Sequence, residues 1–192
     1  MSTYFVTGLP RSRTGWLANL LTYGPSFCLH DAIQFGGPSD IGLELQNLSV
    51  NFQHVGDSDS GLVMIASEMC ELFPLAKWVF VHRNYDDALN SFCKYFTGRA
   101  YNGGPVVEPG DAVDAFEVLR VNLDDALKMI PSSRRLDVEF DALESDLCCR
   151  EIWEWCVPDV GFCQRRWKML HAMQINPIPE KIDARKLMEV CA

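Results

Sequence analysis

One stretch near the N-terminus, Thr3-Tyr-Phe-Val-Thr-Gly-Leu-Pro-Arg-Ser-Arg-Thr-Gly-Trp-Leu-Ala-Asn-Leu-Leu21, limits the folds open to this chain more than any other. Tyr4 to Val6 has the aromatic and β-branched composition of a buried strand. Gly8 and Pro10 interrupt regular structure, and Arg11 to Gly15 forms a small, polar, basic loop. Trp16, Leu17, Leu20 and Leu21 then fall on one face of a helix, which Gly24 and Pro25 stop. A strand, a tight loop and a helix N-terminus in this order make an anion cradle. The first amides of the helix have no intrahelical partner, and its dipole is positive at that end. Arg11 and Arg13 add full charges, so a phosphate-like ligand is expected at Pro10, Arg11, Ser12, Arg13, Thr14, Gly15 and Trp16.

The rest of the composition narrows the ligand. The chain has 192 residues, 48% of them hydrophobic, and reads as one domain spanning 1–192. Its net charge of −9 argues against nucleic acid as a partner, since that needs a basic footprint. A local basic loop on an acidic body suits a small anionic ligand in one pocket. No run of about 18 apolar residues is present, so no membrane partner is expected. The first strand follows Met1 closely, leaving little room for a leader, and a cytoplasmic location is the expectation. Eight cysteines occur without a C-x-x-C pair; Cys149, Cys156 and Cys163 recur at the spacing of buried helical positions, and reduced thiols fit better than a metal site.

Further along, Ser26 to Leu29 reads as a second strand ending at His30 and Asp31. The Gly/Ser/Asp/Asn-rich region 36–61 reads as a loop with a short helix near Ile41 to Leu48. Leu62 to Ala66 reads as a strand covered on both faces, and Ser67 to Phe73 as a short capped helix. Lys77 to His82 is another buried strand leading to Arg83, and Asn84 with Asp87 resembles a capping pair. A Gly/Pro-rich loop spans 97–110, a long helix 111–130, and a strand Arg135 to Phe140; Asp141 to Glu144 opens the next helix, and Arg165 to Gln174 is helical. Such alternation predicts an α/β fold, a three-layer parallel sheet with helices on both faces. Ligands of such sheets bind beyond the carboxyl ends of the strands. There the Arg11 loop, His30, Ser67/Glu68 and Arg83 are expected to share a crevice.

The loop fails the nucleoside-triphosphate pattern G-x-x-x-x-G-K-S/T. In the register starting at Gly8 that pattern needs Gly, Lys and Ser/Thr where the chain has Arg13, Thr14 and Gly15. Gly8-Leu-Pro-Arg-Ser-Arg-Thr-Gly-Trp-Leu17 instead resembles the nucleotide loop of the sulfotransferase family, T/P-x-P-K/R-S-G/R-T-x-W-L. Val79-Phe-Val-His-Arg83-Asn-Tyr-Asp-Asp-Ala-Leu-Asn-Ser91 resembles its second motif, V-x-R-N-P-x-D-x-x-x-S, and Leu136 to Leu143 is similar to its later strand followed by Y-E-D-L. The resemblance implies a P-loop NTPase-like fold. It also implies that the loop binds the 5′-phosphosulfate of PAPS, the 3′-phosphoadenosine sulfate donor, and that Arg83 and Ser91 hold its 3′-phosphate. No metal is needed, because cationic side chains suffice for a sulfuryl group.

Transfer to a hydroxyl also requires a cation at the leaving oxygen and a group to take the acceptor's proton. Arg11 matches the family's Lys/Arg in the first role. For the second, relatives use a His within K-T-H after the strand preceding the arginine motif. The chain has Ile65-Ala-Ser-Glu68 at the expected place, making Glu68 one candidate and the His30–Asp31 pair the other. His54 and the loop 56–61 are expected near the acceptor, and Arg165, Arg166 and Lys168 near the 3′-phosphate or on a solvated helix face. The expectation is a sulfotransferase-like enzyme acting on a small-molecule or carbohydrate acceptor. The alternatives are a P-loop nucleotide kinase or NTPase, or a non-catalytic nucleotide- or phosphate-binding relative.

Overall fold

The computed structural model describes residues 2–34, 36–100 and 104–173. Five parallel strands form one sheet: β1 (Ser2–Gly8), β2 (Ser26–His30), β3 (His54–Ser58), β4 (Lys77–His82) and β5 (Arg135–Glu139), in the order β2-β3-β1-β4-β5. Among the described residues, seven α-helices connect and cover them: α1 (Thr14–Leu21), α2 (Pro38–Leu48), α3 (Ala66–Leu72), α4 (Tyr85–Phe96), α5 (Pro109–Met129), α6 (Asp146–Cys156) and α7 (Gln164–Ala172). The expected α/β architecture with helices on both faces is what is observed.

Because strand side chains alternate, β1 and β4 each feed two cores. Phe5, Trp78 and Phe80 face one side and pack with Leu45 of α2, Met69 of α3, Phe92 of α4 and Phe116 of α5. Tyr4, Val6, Val79 and Val81 face the other, against Leu17 of α1, Trp153 of α6 and Leu170 of α7. Trp78 is fully buried, with its ring 4.8 Å from Phe5 and 6.0 Å from Phe80. Truncating such a residue to Ala costs about 3–5 kcal/mol. These apolar strands hold β1 and β4 side by side, which is why their carboxyl ends meet.

Several elements depart from the sequence reading. Leu62 to Ala66 is not a strand: Ser60–Ile65 is a 3-10 turn that runs into α3. Asp59 starts this turn, its carboxylate accepting from the Gly61 amide at 2.7 Å. A short apolar run has no periodicity to tell strand from buried turn. The strand between β2 and β1 is instead His54-Val-Gly-Asp-Ser58, whose five residues are all buried despite their polar composition. Gly56 is required there, since a Cβ would lie 2.3 Å from the Tyr4 ring. Ser67 consequently caps nothing; α3 begins at Ala66.

The helix expected to open at Asp141 starts later. Phe140–Glu144 is a 3-10 turn, and Ser145 caps α6 by accepting from the Leu147 amide at 3.2 Å. The Asn84 cap is present, its side-chain oxygen accepting from the Asp87 amide at 3.1 Å. Cys149 and Cys156 are buried free thiols in α6, and burial pushes both up, Cys149 to about 12, the range of an inert thiol. The last helix ends at Ala172, so the expected terminus at Gln174 lies outside the described residues.

Candidate functional site at the carboxyl edge of the sheet

The loop between β1 and α1 holds two residues in the left-handed region, Arg11 at φ 71° and Arg13 at φ 61°. For residues with a Cβ this costs roughly 1–2 kcal/mol each. The Leu17 amide donates to the Arg13 carbonyl at 2.9 Å, opening α1 immediately after the loop. No side chain caps α1, and its first turn carries no acidic residue. Its amides and its positive dipole end are therefore left for a ligand. Ser12 is completely buried, with its hydroxyl unpartnered among the described residues.

Arg83, at the end of β4, reaches this loop directly. Its Nη1 donates to the Arg11 carbonyl at 2.5 Å, joining two motifs that lie 72 residues apart in sequence. The Arg83 guanidinium lies 4.5 Å from the Phe140 ring centre, and that of Arg13 lies 5.0 Å from the same ring. Two cations thus lie against one aromatic ring, which attracts each of them through its quadrupole. Burial draws the Arg83 guanidinium below its ordinary range; Asp87 and Asp141 oppose that shift, and Arg13 adds to it. Arg13 also pairs with Glu144, whose other oxygen is 2.6 Å from His171 Nε2. Beside Arg83, a recess of about 410 Å³ is lined by His82, Asn84, Asp87, Glu139, Phe140 and Asp141. Ser91 sits half-buried on α4, two turns beyond, with a hydroxyl that makes no hydrogen bond among the described residues.

His30 is at the corresponding end of β2 and touches the other side of the α1 N-terminus. A Cβ on Gly15 would fall 2.8 Å from His30 Nε2, so the glycine is what lets the imidazole approach. His30 Nδ1 is 2.7 Å from the Ser58 carbonyl, which can only accept. Nδ1 therefore carries the proton in the neutral ring, and the lone pair is on Nε2, facing the loop. Asp31, held at φ 54°, places its carboxylate 3.3 Å from His30 Nδ1. Ser58 ties this side to the loop by donating its hydroxyl to the Thr14 carbonyl at 2.8 Å.

Glu68 is not part of this assembly. Because the strand expected before it is a turn, Glu68 stands exposed on the first turn of α3 rather than at a strand end. The strand that precedes β4 along the chain is β3, so the place comparable to K-T-H moves to Asp57-Ser58-Asp59, which has neither Lys nor His. His54 is also misplaced by the sequence reading: it lies at the amino end of β3, hydrogen-bonded to Ser2 Oγ at 2.7 Å. Arg166 is buried on α7, donating to the Asn19 carbonyl of α1, and so docks two helices, while Arg165 and Lys168 are not buried with it.

The stretch 56–61, expected as a loop near the acceptor, instead begins within buried β3 and sets Asp57 and Asp59 beside Asp31 in a carboxyl cluster at the β2 and β3 ends. Asp57 is fully buried; the Ser58 and Ala32 amides face its carboxyl, and neither closes a hydrogen bond of ordinary geometry. Burial first, then repulsion from Asp59 and Asp31, pushes it up to about 8. Burial likewise lifts Asp59 to about 6, against the Gly61 hydrogen bond. Their Ser- and Asp-rich surroundings read as a plain turn, and only a pairing pattern could have marked them as strand. Among the described residues, no group of three or more His, Cys, Asp or Glu side chains is arranged to hold a metal ion. No described helix is long and apolar enough to cross a membrane.

The sulfotransferase domain of the Synechococcus PCC 7002 olefin synthase superimposes with a TM-score of 0.54 at 15% identity, covering 99% of this chain and 94% of that one. At this identity the likeness is one of fold. No curated protein matches by sequence. The model of the sulfotransferase family matches residues 46–148, more than half of the chain, and that stretch includes Arg83, Ser91, Phe140 and Glu144. The chain belongs to the sulfotransferase family.

Proposed function

We propose that the protein transfers a sulfuryl group from PAPS to a hydroxyl or amine acceptor, a small molecule or a carbohydrate. The observation that supports this reading is the hydrogen bond from Arg83 to the Arg11 carbonyl, which joins the two motifs that resemble the family's nucleotide-binding ones. A donor with phosphate at both ends of its nucleoside needs such a pair. The loop amides and Arg11 receive the 5′-phosphosulfate, while Arg83, with Ser91, receives the 3′-phosphate. A planar guanidinium suits that task through paired charge-assisted hydrogen bonds.

In the transfer, the acceptor's oxygen or nitrogen attacks sulfur and gives up its proton to His30 Nε2. The bond from sulfur to the 5′-phosphate oxygen breaks, and its electron pair stays on that oxygen. Arg11 and the α1 amides stabilise the charge that develops there. Asp31 stabilises the imidazolium formed on His30, and the Ser58 carbonyl fixes which nitrogen is basic. The products are a sulfated acceptor and 3′-phosphoadenosine 5′-phosphate. The kinase reading is not favoured, since the family match adds to the missing Lys and Ser/Thr of the loop.

The test is transfer of labelled sulfur from PAPS to a panel of alcohols, phenols, sugars and amines. Label should move with the wild type and nearly vanish with His30→Ala. Phosphoryl transfer from ATP–magnesium with no movement of sulfur would contradict the reading.

A further inference from the structure

Tyr95, near the end of α4, carries two guanidiniums. That of Arg11 lies 4.7 Å from its ring centre, and that of Arg99 lies 4.7 Å from the same centre. One comes from the loop after β1 and the other from the chain leaving α4. Arg99 is brought there by a reversal of that chain. Gly98 adopts φ 76° in open space, and its amide donates to the Val107 carbonyl at 3.0 Å. The Val107 amide returns a bond to the Arg99 carbonyl at 3.0 Å, and Ala100 bridges Val106 in antiparallel fashion. Arg99 is therefore tethered on its backbone while its side chain is exposed. It forms no ion pair with a carboxylate among the described residues.

This arrangement is unusual on a chain with 26 acidic and only 17 basic residues. Two cations on one ring repel each other. The ring offsets part of that repulsion, since a cation–π contact at an exposed site is worth about 0.5–1 kcal/mol. An anion lying against both guanidiniums turns the repulsion into attraction. Arg11 already belongs to the anion-binding loop, so the anion that meets Arg11 is within the field of Arg99.

We propose that Arg99 is a further donor-binding residue, placed by Tyr95 beside Arg11 so that both guanidiniums meet the 5′-phosphosulfate end of the nucleotide. This rests on the PAPS reading above. Its chemical demand is specific to one end of the ligand: Arg99 answers to the 5′ anion and not to the 3′-phosphate held by Arg83.

Calorimetry with 3′-phosphoadenosine 5′-phosphate and with adenosine 3′-phosphate separates the two claims. Failure of the wild type to bind 3′-phosphoadenosine 5′-phosphate would overturn the donor reading itself. Given wild-type binding, Arg99→Ala should weaken that ligand by about tenfold, the scale of one charge-assisted hydrogen bond. It should leave adenosine 3′-phosphate unaffected, and Arg99→Lys should recover part of the loss by restoring charge without the planar fork. Thermal stability should stay at the wild-type value, because Arg99 is exposed. An unchanged affinity in Arg99→Ala, or an equal loss for both nucleotides, would overturn the role of Arg99.

Discussion

At the ends of β1 and β4 the crevice presents Arg11, Arg13 and Arg83 against the rings of Tyr95 and Phe140. At the ends of β2 and β3 it presents His30, Asp31, Asp57 and Asp59. The arginine side packs on aromatic faces and is joined to a backbone carbonyl and to Glu144, with Asp87 and Asp141 close to Arg83. The aspartate side is crowded and largely buried, and its carboxyls are pushed toward the neutral form. On the proposed reading, an anionic donor is drawn to the first side, where the cations are. His30 stands on the boundary, with Nε2 turned to the shared α1 N-terminus. In the function proposed above, this difference gives the crevice a direction, with the donor on the arginines and the proton acceptor opposite.

The harshest way to break this division is to remove the group on the boundary. His30→Ala should lower kcat by about 10²–10⁴, the range for a general base, while leaving the affinity for 3′-phosphoadenosine 5′-phosphate as it was. Steady-state kinetics with calorimetry reads both, and a loss of nucleotide affinity of the same size would place His30 on the donor side instead. Arg11→Ala should lower kcat/KM by about 10²–10³, the cost of one group at a developing oxyanion. A change in KM for the acceptor alone would remove Arg11 from the leaving oxygen.

The aspartate side is probed by pH. Asp57 has an ordinary value of 3.8 and is pushed up to about 8 in the fold, so it takes up a proton on folding between those values. The contribution of Asp57 to stability should then fall as pH rises through that window, with its full penalty present above about 8. The fall is at most about 1.4 kcal/mol for each step of one in pH. Asp57→Asn should flatten this dependence, and its advantage over the wild type in thermal melts should grow as the pH is raised from mildly acidic to mildly basic. Parallel curves for the two proteins would show that Asp57 ionises freely.

The smallest effect is expected at Glu144, an exposed partner of Arg13. Exposed pairs are worth about 0–1 kcal/mol. Glu144→Gln should thus raise nucleotide affinity by less than about fivefold as Arg13 is released to the ligand. A fall in affinity would mean that Glu144 aims Arg13 rather than competing for it.

The two sides also differ in how legible they are in the sequence. β1 and β4 have apolar centres, at residues 4–6 and 78–81, and lead to Gly8 and Arg83, so pattern and motif agree, and the loop, its helix and Arg83 stand where expected. β3 hides an aspartate, a serine and a histidine inside a buried strand, and its glycine exists to clear Tyr4. No periodicity marks such a strand. The apolar run after it, Leu62 to Ala66, attracts the strand assignment, and Glu68 is misplaced with it. His30 is legible from its strand end, but its orientation depends on the Ser58 carbonyl, which only the pairing of β2 with β3 supplies. Phe140 and Tyr95 are invisible for the same reason: their partners are arginines distant in sequence.

Whether one crevice holds a nucleotide phosphorylated at both ends is decided most directly by calorimetry with 3′-phosphoadenosine 5′-phosphate and adenosine 5′-phosphate, on the wild type and on Arg83→Ala. The wild type should prefer the doubly phosphorylated nucleotide by about tenfold or more, as charge-assisted bonds to the extra phosphate require. Arg83→Ala should bind the two alike. Equal binding by the wild type, or a preference that survives Arg83→Ala, would contradict the shared site.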